Sequence, residues 1–488
     1  MIGIAAAPPG RLEWSDGTTG SRLMGTPRGR AEPDLVVVGG GAGGLAAARA
    51  GARRGAHTIL VQHGRLGGDC TFTGCVPSKA LIEAAARGGD FAGAMTSVHA
   101  AVEAVARAED DEVLAREGVE VVHGWANLRP GRRVDVDGAV LRPRKIILAT
   151  GARPAIPPIP GLDEVDYLTN ENLFELDAAP GSLAVLGGGA IGCELAQALQ
   201  RLGVRVTLVE GLDRLLPREE PEASEVVAQV LRREGVDVRT GAGVARVEAL
   251  ERKGAVRLHL AGGAVVEAER LLVAVGRRAA TDGLGLEEAG VERERGFIVT
   301  DDHLATTAAG VWAVGDAAGK LQFTHAADEM GRIAAGNALA RRPPRRFHPE
   351  WIPWVTFTDP EVARVGMTEA EGAERGARVA YLPMSEVDRA VAAGATDGFV
   401  KLVAGPRRVL GHAAGGRLLG ATVVAGRGGE LIAEAALAIR TRMFTARLAQ
   451  AVHAYPTWSA AMWQAAAQFF VDAGGRRARP AQKLHRGT

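Results

Sequence analysis

The run Leu35-Val36-Val37-Val38-Gly39-Gly40-Gly41-Ala42-Gly43-Gly44 joins a short β-branched segment to a glycine-rich turn. Its four apolar residues predict a parallel strand that is buried on both faces. The alanine-rich segment 45–54 predicts a helix after the turn, and segment 58–61 predicts a second strand. This order of strand, glycine turn, helix and strand is typical of a βαβ unit that binds a dinucleotide.

The glycines of the turn have the spacing G-x-G-x-x-G, with Gly39, Gly41 and Gly44 at the three positions. The first glycine permits a tight turn, the second lets the backbone approach a pyrophosphate, and the third lets the helix pack on the strand. The helix N-terminus then offers free N–H groups to the phosphates. Where an acidic residue usually ends the second strand and holds the ribose, this chain has Gln62. Its amide can still hydrogen-bond a hydroxyl group, so we expect dinucleotide binding here.

The same arrangement recurs in the middle of the chain. A strand at 182–186, a helix at 193–202 and a strand at 204–209 are predicted around a second glycine turn, which contains Gly187, Gly189 and Gly192. The second strand is followed by Glu210. A carboxylate there accepts hydrogen bonds from a ribose 2′-hydroxyl and repels a 2′-phosphate, which favours NADH over NADPH. NADPH stays possible because Arg214 is close in sequence.

Two of the three cysteines, Cys70 and Cys75, lie five positions apart just after the first unit. A disulfide across so short a loop constrains the unfolded chain little, so a purely structural role explains it poorly. A redox-active pair that cycles between disulfide and dithiol fits better. The third cysteine, Cys193, is expected to be a small buried apolar residue. Three cysteines also exclude a disulfide scaffold and indicate a reducing compartment.

The cysteine pair stands within Gly67-Gly68-Asp69-Cys70-Thr71-Phe72-Thr73-Gly74-Cys75-Val76-Pro77-Ser78-Lys79. This stretch resembles the active-site motif of the class I pyridine nucleotide-disulfide oxidoreductases, a family that includes dihydrolipoamide dehydrogenase, glutathione reductase and mercuric reductase. The resemblance implies FAD at the first glycine turn and NAD(P)H at the second. It also implies that electrons pass from NAD(P)H through the flavin to a disulfide. Cys75 would then be the thiolate that faces the flavin, and Cys70 the thiol that meets the electron acceptor.

Other residues resemble the family's cofactor contacts. Lys79 follows Cys75 by one helical turn, so both can lie on one face, and the resemblance pairs Lys79 with Glu194 beside the flavin. The segment 310–316 resembles the motif whose aspartate holds the ribityl chain of FAD. Besides the two glycine turns with Gln62 and Glu210, the resemblance thus assigns cofactor binding to Gly68, Lys79, Thr150, Gly151, Asp316 and Gly276.

Together these signals predict an α/β fold with two Rossmann-like domains, one for FAD and one for NAD(P), followed by an α+β dimerisation domain. Proline-rich 152–161 is expected to connect the first two domains, and polar 341–346 to precede the last. The predicted segments are a disordered leader at 1–32, the FAD-binding domain at 33–160 and 281–346, the NAD(P)-binding domain at 161–280, the dimerisation domain at 347–472 and a basic tail at 473–488. The resemblance implies a homodimer in which the partner completes each active site.

The C-terminal region departs from the disulfide reductases of this family. Those enzymes carry a His-Pro-Thr whose histidine is the general acid–base, oriented by a glutamate three residues after the threonine. Here Tyr455 stands at the histidine position and Ala460 at the glutamate position. A phenol titrates near pH 10, too high for proton transfer at neutral pH. His453 is the nearest alternative base, although a structural histidine is the stronger interpretation.

Two kinds of electron acceptor and one non-catalytic role therefore stay open. The first is a small disulfide or a thiol-bound metal ion taken at Cys70, and the tyrosine favours the mercuric reductase-like members. This chain lacks the C-terminal cysteine pair of many such enzymes, and we expect no bound metal of its own. The second is a quinone or dye reduced at the flavin. The third is a non-catalytic redox sensor.

Composition sets further limits. A formal net charge of +1 gives no surplus for nucleic acid binding. The basic residues near the C-terminus are expected to be solvated. No apolar run is long enough to span a membrane, and the leader lacks the pattern of a signal peptide, so the cytoplasm is the expected location. Met24 is a candidate natural start.

Overall fold

The computed structural model describes residues 32–340, 344–407, 409 and 411–483. The predicted leader up to residue 31, including Met24, lies outside the described residues. The same holds for residues 341–343 of the second linker and 484–488 of the tail.

A five-stranded parallel sheet carries the first glycine turn. Its strands, in spatial order, are Val311–Ala313, Lys145–Leu148, Leu35–Val38, Thr58–Gln62 and Val119–His123. The strand Val311–Ala313 comes from far along the chain, so two separate segments build one sheet. The helices of this part are Ala42–Ala52, Gly68–Phe72, Cys75–Ala86, Phe91–Ala106, Asp111–Arg116 and Thr324–Leu339. Three short antiparallel strands complete it, namely Ala126–Arg129, Arg133–Val136 and Ala139–Leu141.

A second, four-stranded parallel sheet carries the other glycine turn. Its strands, in spatial order, are Asp237–Arg239, Arg205–Val209, Ser182–Leu186 and Arg270–Val273, and its helices are Ala190–Arg201 and Pro221–Arg233. An antiparallel sheet of Val244–Ala249, Val256–Leu260 and Val265–Ala268 packs beside it. Two strand pairs lie outside these sheets, Ala152–Pro154 with Arg277–Ala279, and Arg293–Glu294 with Phe297–Ile298. The predicted proline-rich connector thus pairs with the segment that leaves the second unit.

A six-stranded antiparallel sheet forms the C-terminal part. Its strands, in spatial order, are Trp354–Thr356, Glu361–Gly366, Arg417–Ala425, Phe399–Gly405, Arg378–Pro383 and Arg479–Pro480. The helices are Glu369–Ala373, Asp388–Ala392, Gly428–Arg440, Thr445–Gln450 and Ala460–Ala467. Short 3-10 turns occur at Leu162–Glu164, Leu173–Glu175, Gly315–Ala318, Pro349–Trp351, Met384–Glu386 and Ala413–Gly415. The fold is therefore α/β with two Rossmann-like units and an α+β C-terminal part, as predicted.

The basic tail is only partly solvated over the described residues 473–483, because Arg477 and Lys483 are exposed whereas Arg476 and Arg479 bond carboxylates. Arg479–Pro480 forms the edge strand of the C-terminal sheet and pairs with Arg378 and Val379. Arg476 forms an ion pair with Glu386, and Arg479 forms one with Glu369. Carboxylates of the helix Glu369–Ala373 and of the 3-10 turn Met384–Glu386 thus bond two of the arginines that were expected to be solvated.

In the part of the chain that the structure describes, no helix is both long and apolar enough to cross a bilayer.

Candidate active site

The first glycine turn has the geometry that a pyrophosphate requires. Gly39 has a φ of +104°, and a Cβ there would lie 2.4 Å from the carbonyl oxygen of Ala149. A Cβ on Gly44 would lie 1.7 Å from the carbonyl oxygen of Gly39, because the helix packs directly on the strand. A Cβ on Gly41 would have only the Cα of Gly68, at 3.9 Å, within reach. The turn is therefore open to a ligand at its second glycine, where the phosphates are expected.

The second turn repeats this geometry. Gly187 has a φ of +114°, and a Cβ on Gly192 would lie 1.9 Å from the carbonyl oxygen of Gly187. Nothing lies within 4 Å of a Cβ built on Gly189. Both turns thus leave space at the position that must approach a phosphate, and both fit a dinucleotide.

Gln62 and Glu210 occupy equivalent places beside the two turns. The side-chain oxygen of each accepts a 2.6 Å hydrogen bond from the second residue of its turn, Gly40 for Gln62 and Gly188 for Glu210. The remaining bonds differ. The amide nitrogen of Gln62 donates to two carbonyl oxygens, of His63 at 2.7 Å and of Arg65 at 3.0 Å. The second carboxylate oxygen of Glu210 accepts the N–H of Leu212 at 2.8 Å. Two carbonyl oxygens after Gln62 thus accept hydrogen bonds that an amide can donate and a carboxylate cannot, which explains how a glutamine replaces the usual acid.

Other polar atoms around the first unit fit FAD. Within the described residues, Thr150 Oγ1 and Gln322 Nε2 are buried without a hydrogen-bond partner in the protein, as expected of atoms that hydrogen-bond a ligand. The carboxylate of Asp316 is mostly buried, and this burial raises its pKa. It bonds the Nε of Arg277 at 3.2 Å. Gly151 and Gly276 have φ values of +75° and +138°, which favour glycine at both positions.

Cys70 and Cys75 lie on two consecutive short helical segments. Cys70 is in Gly68–Phe72, and Cys75 is the first residue of Cys75–Ala86. Both cysteines are thiols in this structure. A hydrogen bond from Cys70 lowers the pKa of Cys75 to about 6, and Thr324 and Lys79 act in the same direction against the effect of burial. The same hydrogen bond, together with burial, raises the pKa of Cys70. In the reduced pair, Cys75 is therefore the more acidic of the two thiols.

Thr324 also belongs to this site, although no sequence motif pointed to it. It is the first residue of helix Thr324–Leu339, and its Oγ1 lies 3.3 Å from the Cys75 sulfur. It comes from a segment 249 positions away from Cys75. Only the fold brings the two together.

We expect Thr324→Val to raise the pKa of Cys75 by roughly half a unit to one unit, because a charged sulfur loses a hydrogen-bond donor. In the reduced wild-type protein, the alkylation rate of Cys75 should rise through pH 6, since the lowered pKa makes the thiolate dominant above that value. The measurement is iodoacetamide labelling against pH, followed at Cys75 by mass spectrometry. Thr324→Ser keeps the hydroxyl group and should keep the wild-type midpoint. An unchanged midpoint in Thr324→Val would remove Thr324 from the site.

Lys79 and Glu194 form the predicted pair. Lys79 Nζ lies 2.8 Å from Glu194 Oε2 and 4.5 Å from the centre of the Phe357 ring. The other carboxylate oxygen of Glu194 accepts the backbone N–H of Phe357 at 2.8 Å. The glutamate side chain is only 6% exposed and the lysine 32%. The pair thus fixes a positive charge one helical turn from Cys75.

The C-terminal candidates bond to other groups of the subunit. Tyr455 is 76% exposed, and its hydroxyl donates to Asp388 Oδ2 at 2.9 Å. This hydrogen bond raises the pKa of Tyr455, further from neutrality. His453 is mostly buried, and its ring nitrogens lie 3.1 Å from Glu434 Oε2 and 3.1 Å from the carbonyl oxygen of Ala451. Neither side chain has a free proton-transfer atom of the kind that a general base needs.

Cys193 is fully buried, and burial raises its pKa. Its sulfur lies 3.4 Å from the carbonyl oxygen of Gly188. It belongs to the packing of the second unit, as predicted. Among the described residues, no three His, Cys, Asp or Glu side chains come together in a way that could hold a metal ion.

Residues 33–331 match the pyridine nucleotide-disulphide oxidoreductase family, and residues 352–466 match the dimerisation domain of that family. The chain belongs to this family. It is an FAD-dependent oxidoreductase with NAD(P)H as electron donor, and it carries a dimerisation domain.

Individual relatives cover nearly the whole chain. The mercuric reductase of Streptomyces lividans is 37% identical over 469 residues, which are 90% of this chain and 96% of that protein. The dihydrolipoyl dehydrogenase of Thermus scotoductus is 35% identical over 456 residues, 89% of this chain and 96% of that protein. Among solved structures, the chain is similar to the Cu(II) complex of the HOCl-induced flavoprotein disulfide reductase RclA from Escherichia coli. The two superpose with a TM-score of 0.79 at 29% sequence identity, and the match covers 90% of this chain and 99% of the RclA chain.

Proposed function

We propose that this chain passes electrons from NAD(P)H, preferably NADH, through Cys70 and Cys75 to a small disulfide or a thiol-bound metal ion. The observation that carries the proposal is the geometry around the two cysteines: Cys70 and Cys75 lie on consecutive helical segments, Thr324 Oγ1 lies 3.3 Å from the Cys75 sulfur, and the Lys79–Glu194 pair lies one helical turn away. When bound, FAD supplies the chemistry that links a two-electron nicotinamide donor to a disulfide. The names of the relatives, mercuric reductase and dihydrolipoyl dehydrogenase, agree with these two kinds of acceptor.

Each residue of the site then has a distinct role. Thr324 and Lys79 stabilise the Cys75 thiolate. Cys70 keeps its proton until an acceptor arrives, because its hydrogen bond to Cys75 raises its pKa. For Hg(II) held by thiolates, which suit soft metals, two electrons reduce the metal to Hg(0) while NADH becomes NAD⁺ and releases a proton.

We propose that two subunits share each active site. The region that matches the dimerisation domain contains Tyr455, which is 76% exposed, and Val452, which is fully exposed. Exposed apolar and aromatic side chains in such a domain are the kind that a partner buries. In the dimer, Tyr455 and Asp388 would then face the acceptor site of the partner.

The cytoplasm stays the location that we propose. A chain with only three cysteines suits a reducing compartment.

The nucleotide preference rests on Glu210 and Arg214. Arg214 is occupied by carbonyl oxygens of its own loop, of Pro217 at 2.7 Å and of Glu219 at 2.9 Å. Its Nη1 also donates to Ser224 Oγ at 3.1 Å. Because Arg214 is engaged in this way, we propose that Glu210 sets the nucleotide preference.

We expect Glu210→Gln to raise kcat/KM for NADPH relative to NADH by about tenfold, because the charge that repels a 2′-phosphate is lost. The amide oxygen keeps an acceptor for Gly188, and the acceptor for the N–H of Leu212 is lost. Steady-state kinetics with both nucleotides provide the measurement. Glu225→Gln, an exposed glutamate of the same unit that bonds Gln229, should leave the ratio unchanged. The same ratio in Glu210→Gln and the wild type would contradict the assignment.

A second candidate is a quinone reductase that uses the flavin directly. The observation that favours it is the engagement of both C-terminal candidates for the acid–base, Tyr455 with Asp388 and His453 with Glu434. A quinone takes electrons without a thiol partner, so it needs no such group at the cysteines.

Steady-state NADH oxidation over a panel of acceptors tests the proposal. The panel contains lipoamide, glutathione disulfide, Hg(II) in excess thiol, Cu(II) in excess thiol and a soluble quinone. Turnover with a disulfide or a thiol-bound metal supports the main proposal and identifies the acceptor. Turnover with the quinone alone supports the second candidate. Negligible turnover with every acceptor would contradict both and indicate the redox sensor.

A further inference from the structure

Asp69, immediately before Cys70, bonds residues of distant segments to the redox loop, residues 69–75. Its Oδ2 lies 2.5 Å from Arg277 Nη2, and its Oδ1 accepts Asn170 Nδ2 at 3.1 Å. The hydroxyl group of Thr73 also donates to Oδ1. Both carboxylate oxygens are therefore engaged, and each is bonded by a residue from outside the segment that carries the cysteines.

The two distant partners are well fixed. Asn170 is 8% exposed, and its Nδ2 also donates to the carbonyl oxygen of Thr73 at 3.1 Å. Thr73 lies between the cysteines, so Asn170 holds the loop at two points. Asn170 and Arg277 lie near opposite ends of the predicted NAD(P)-binding segment 161–280. That segment thus contacts the redox loop from both of its ends.

Arg277 connects the redox loop to Asp316, the aspartate expected to hold the ribityl chain of FAD. Its side chain is 14% exposed and bonds Asp69, Asp316 and the carbonyl oxygen of Ala152, the last at 3.0 Å. Burial opposes the charge of Arg277, but the two carboxylates outweigh this effect and raise its pKa. Asp69 is therefore bound to a permanent cation that is itself anchored to two other segments.

We propose that Asp69 is a positioning residue that holds loop 71–74 so that the sulfurs of Cys70 and Cys75 stay within bonding distance, and that it thereby favours the disulfide over the dithiol. The inference rests on the proposed redox role of the two cysteines. Closing a disulfide depends on the effective concentration of one thiol at the other. A loop fixed through Asn170 and Arg277 loses less conformational freedom when the bond forms.

The test is the equilibrium between the cysteine pair and dithiothreitol in the holoenzyme under anaerobic conditions. Two thiols of the protein form one S–S bond, and their two electrons and two protons reduce the cyclic disulfide of oxidised dithiothreitol. Acid quenching, alkylation and mass spectrometry give the fraction of Cys70 and Cys75 in the disulfide. We expect Asp69→Ala to lower the equilibrium constant for the disulfide about tenfold, which corresponds to about 30 mV for two electrons. Asp69→Asn keeps an acceptor for Asn170 and loses the ion pair, so about a threefold decrease is expected.

The matched control is Asp397→Asn, which breaks an exposed pair with Arg233 and should leave the equilibrium unchanged. An unchanged constant in Asp69→Ala with flavin content and thermal stability retained would overturn the inference. If Asp69→Ala does not fold, Asn170→Ala tests the inference instead, with an expected decrease of about threefold in the equilibrium constant for the disulfide. An unchanged constant in Asn170→Ala would then overturn the inference. A wild-type protein that forms no disulfide at any dithiothreitol ratio would overturn the redox function together with the inference. A normal wild-type disulfide with unchanged variants would overturn the inference alone.

Discussion

Cys70→Ser is expected to lower kcat with a disulfide or thiol-bound metal acceptor by about a thousandfold or more, because the thiol that meets the acceptor is lost. Serine keeps a hydroxyl group that can donate to the Cys75 sulfur, so the low pKa of Cys75 should be largely preserved. Reduction of the flavin by NADH should continue at close to the wild-type rate. The variant thus separates loss of acceptor chemistry from loss of the earlier step.

Stopped-flow reduction by NADH and steady-state turnover together make this measurement. Cys193→Ser serves as a control for the loss of a thiol outside the active site, because Cys193 lies fully buried in the second unit. Its turnover per bound flavin should equal that of the wild type. Turnover in Cys70→Ser at the wild-type rate with the preferred acceptor would contradict the main proposal and support reduction at the flavin.

Lys79→Ala should slow flavin reduction by about ten- to a hundredfold, because a fixed positive charge beside the reacting groups is removed. The change also leaves the buried carboxylate of Glu194 without its cation. Glu194 keeps the N–H of Phe357, and Lys79 is partly exposed, so the expected loss of stability is about 1–2 kcal/mol. Rapid mixing with NADH gives the rate, and thermal unfolding gives the stability.

The matched control for Lys79→Ala is Lys145→Ala. Lys145 also lies over an aromatic ring, 5.4 Å from the centre of Trp312, but it is on a strand of the first sheet and away from the cysteines. Its flavin reduction rate should stay at the wild-type value. An unchanged rate in Lys79→Ala would remove the lysine from the active site, whatever its effect on stability.

The sequence predicted the fold because the decisive signals are local. The two glycine turns specify strand, turn and helix within about twenty residues each, and all six glycines have the geometry that the pattern requires. Both following helices begin three residues earlier than predicted, at Ala42 and Ala190. Glycine has low helix propensity, so the pattern assigned the last glycines to the turn. In the structure, the helix must start there to direct its N-terminus at the phosphates.

The rest of the site depends on contacts between distant segments. Thr324 reaches Cys75, and Asn170 and Arg277 reach Asp69, across separations that no local pattern contains. Arg277 directly follows Gly276, which the resemblance assigns to cofactor binding, but the resemblance named no partner for Arg277. The ion pairs of Arg476 and Arg479 in the tail could not be predicted from the sequence either. Their carboxylate partners, Glu369 and Glu386, lie about a hundred positions earlier.

The central claim is that electrons from NADH arrive at the Cys70–Cys75 disulfide. The most direct test is an anaerobic titration of the oxidised holoenzyme with NADH, with alkylation and mass spectrometry at each step to count new thiols. The account predicts that one NADH per subunit produces two new thiols, at Cys70 and Cys75, while Cys193 stays a thiol throughout. Oxidation of NADH and bleaching of the flavin with no new thiol at either cysteine would contradict it.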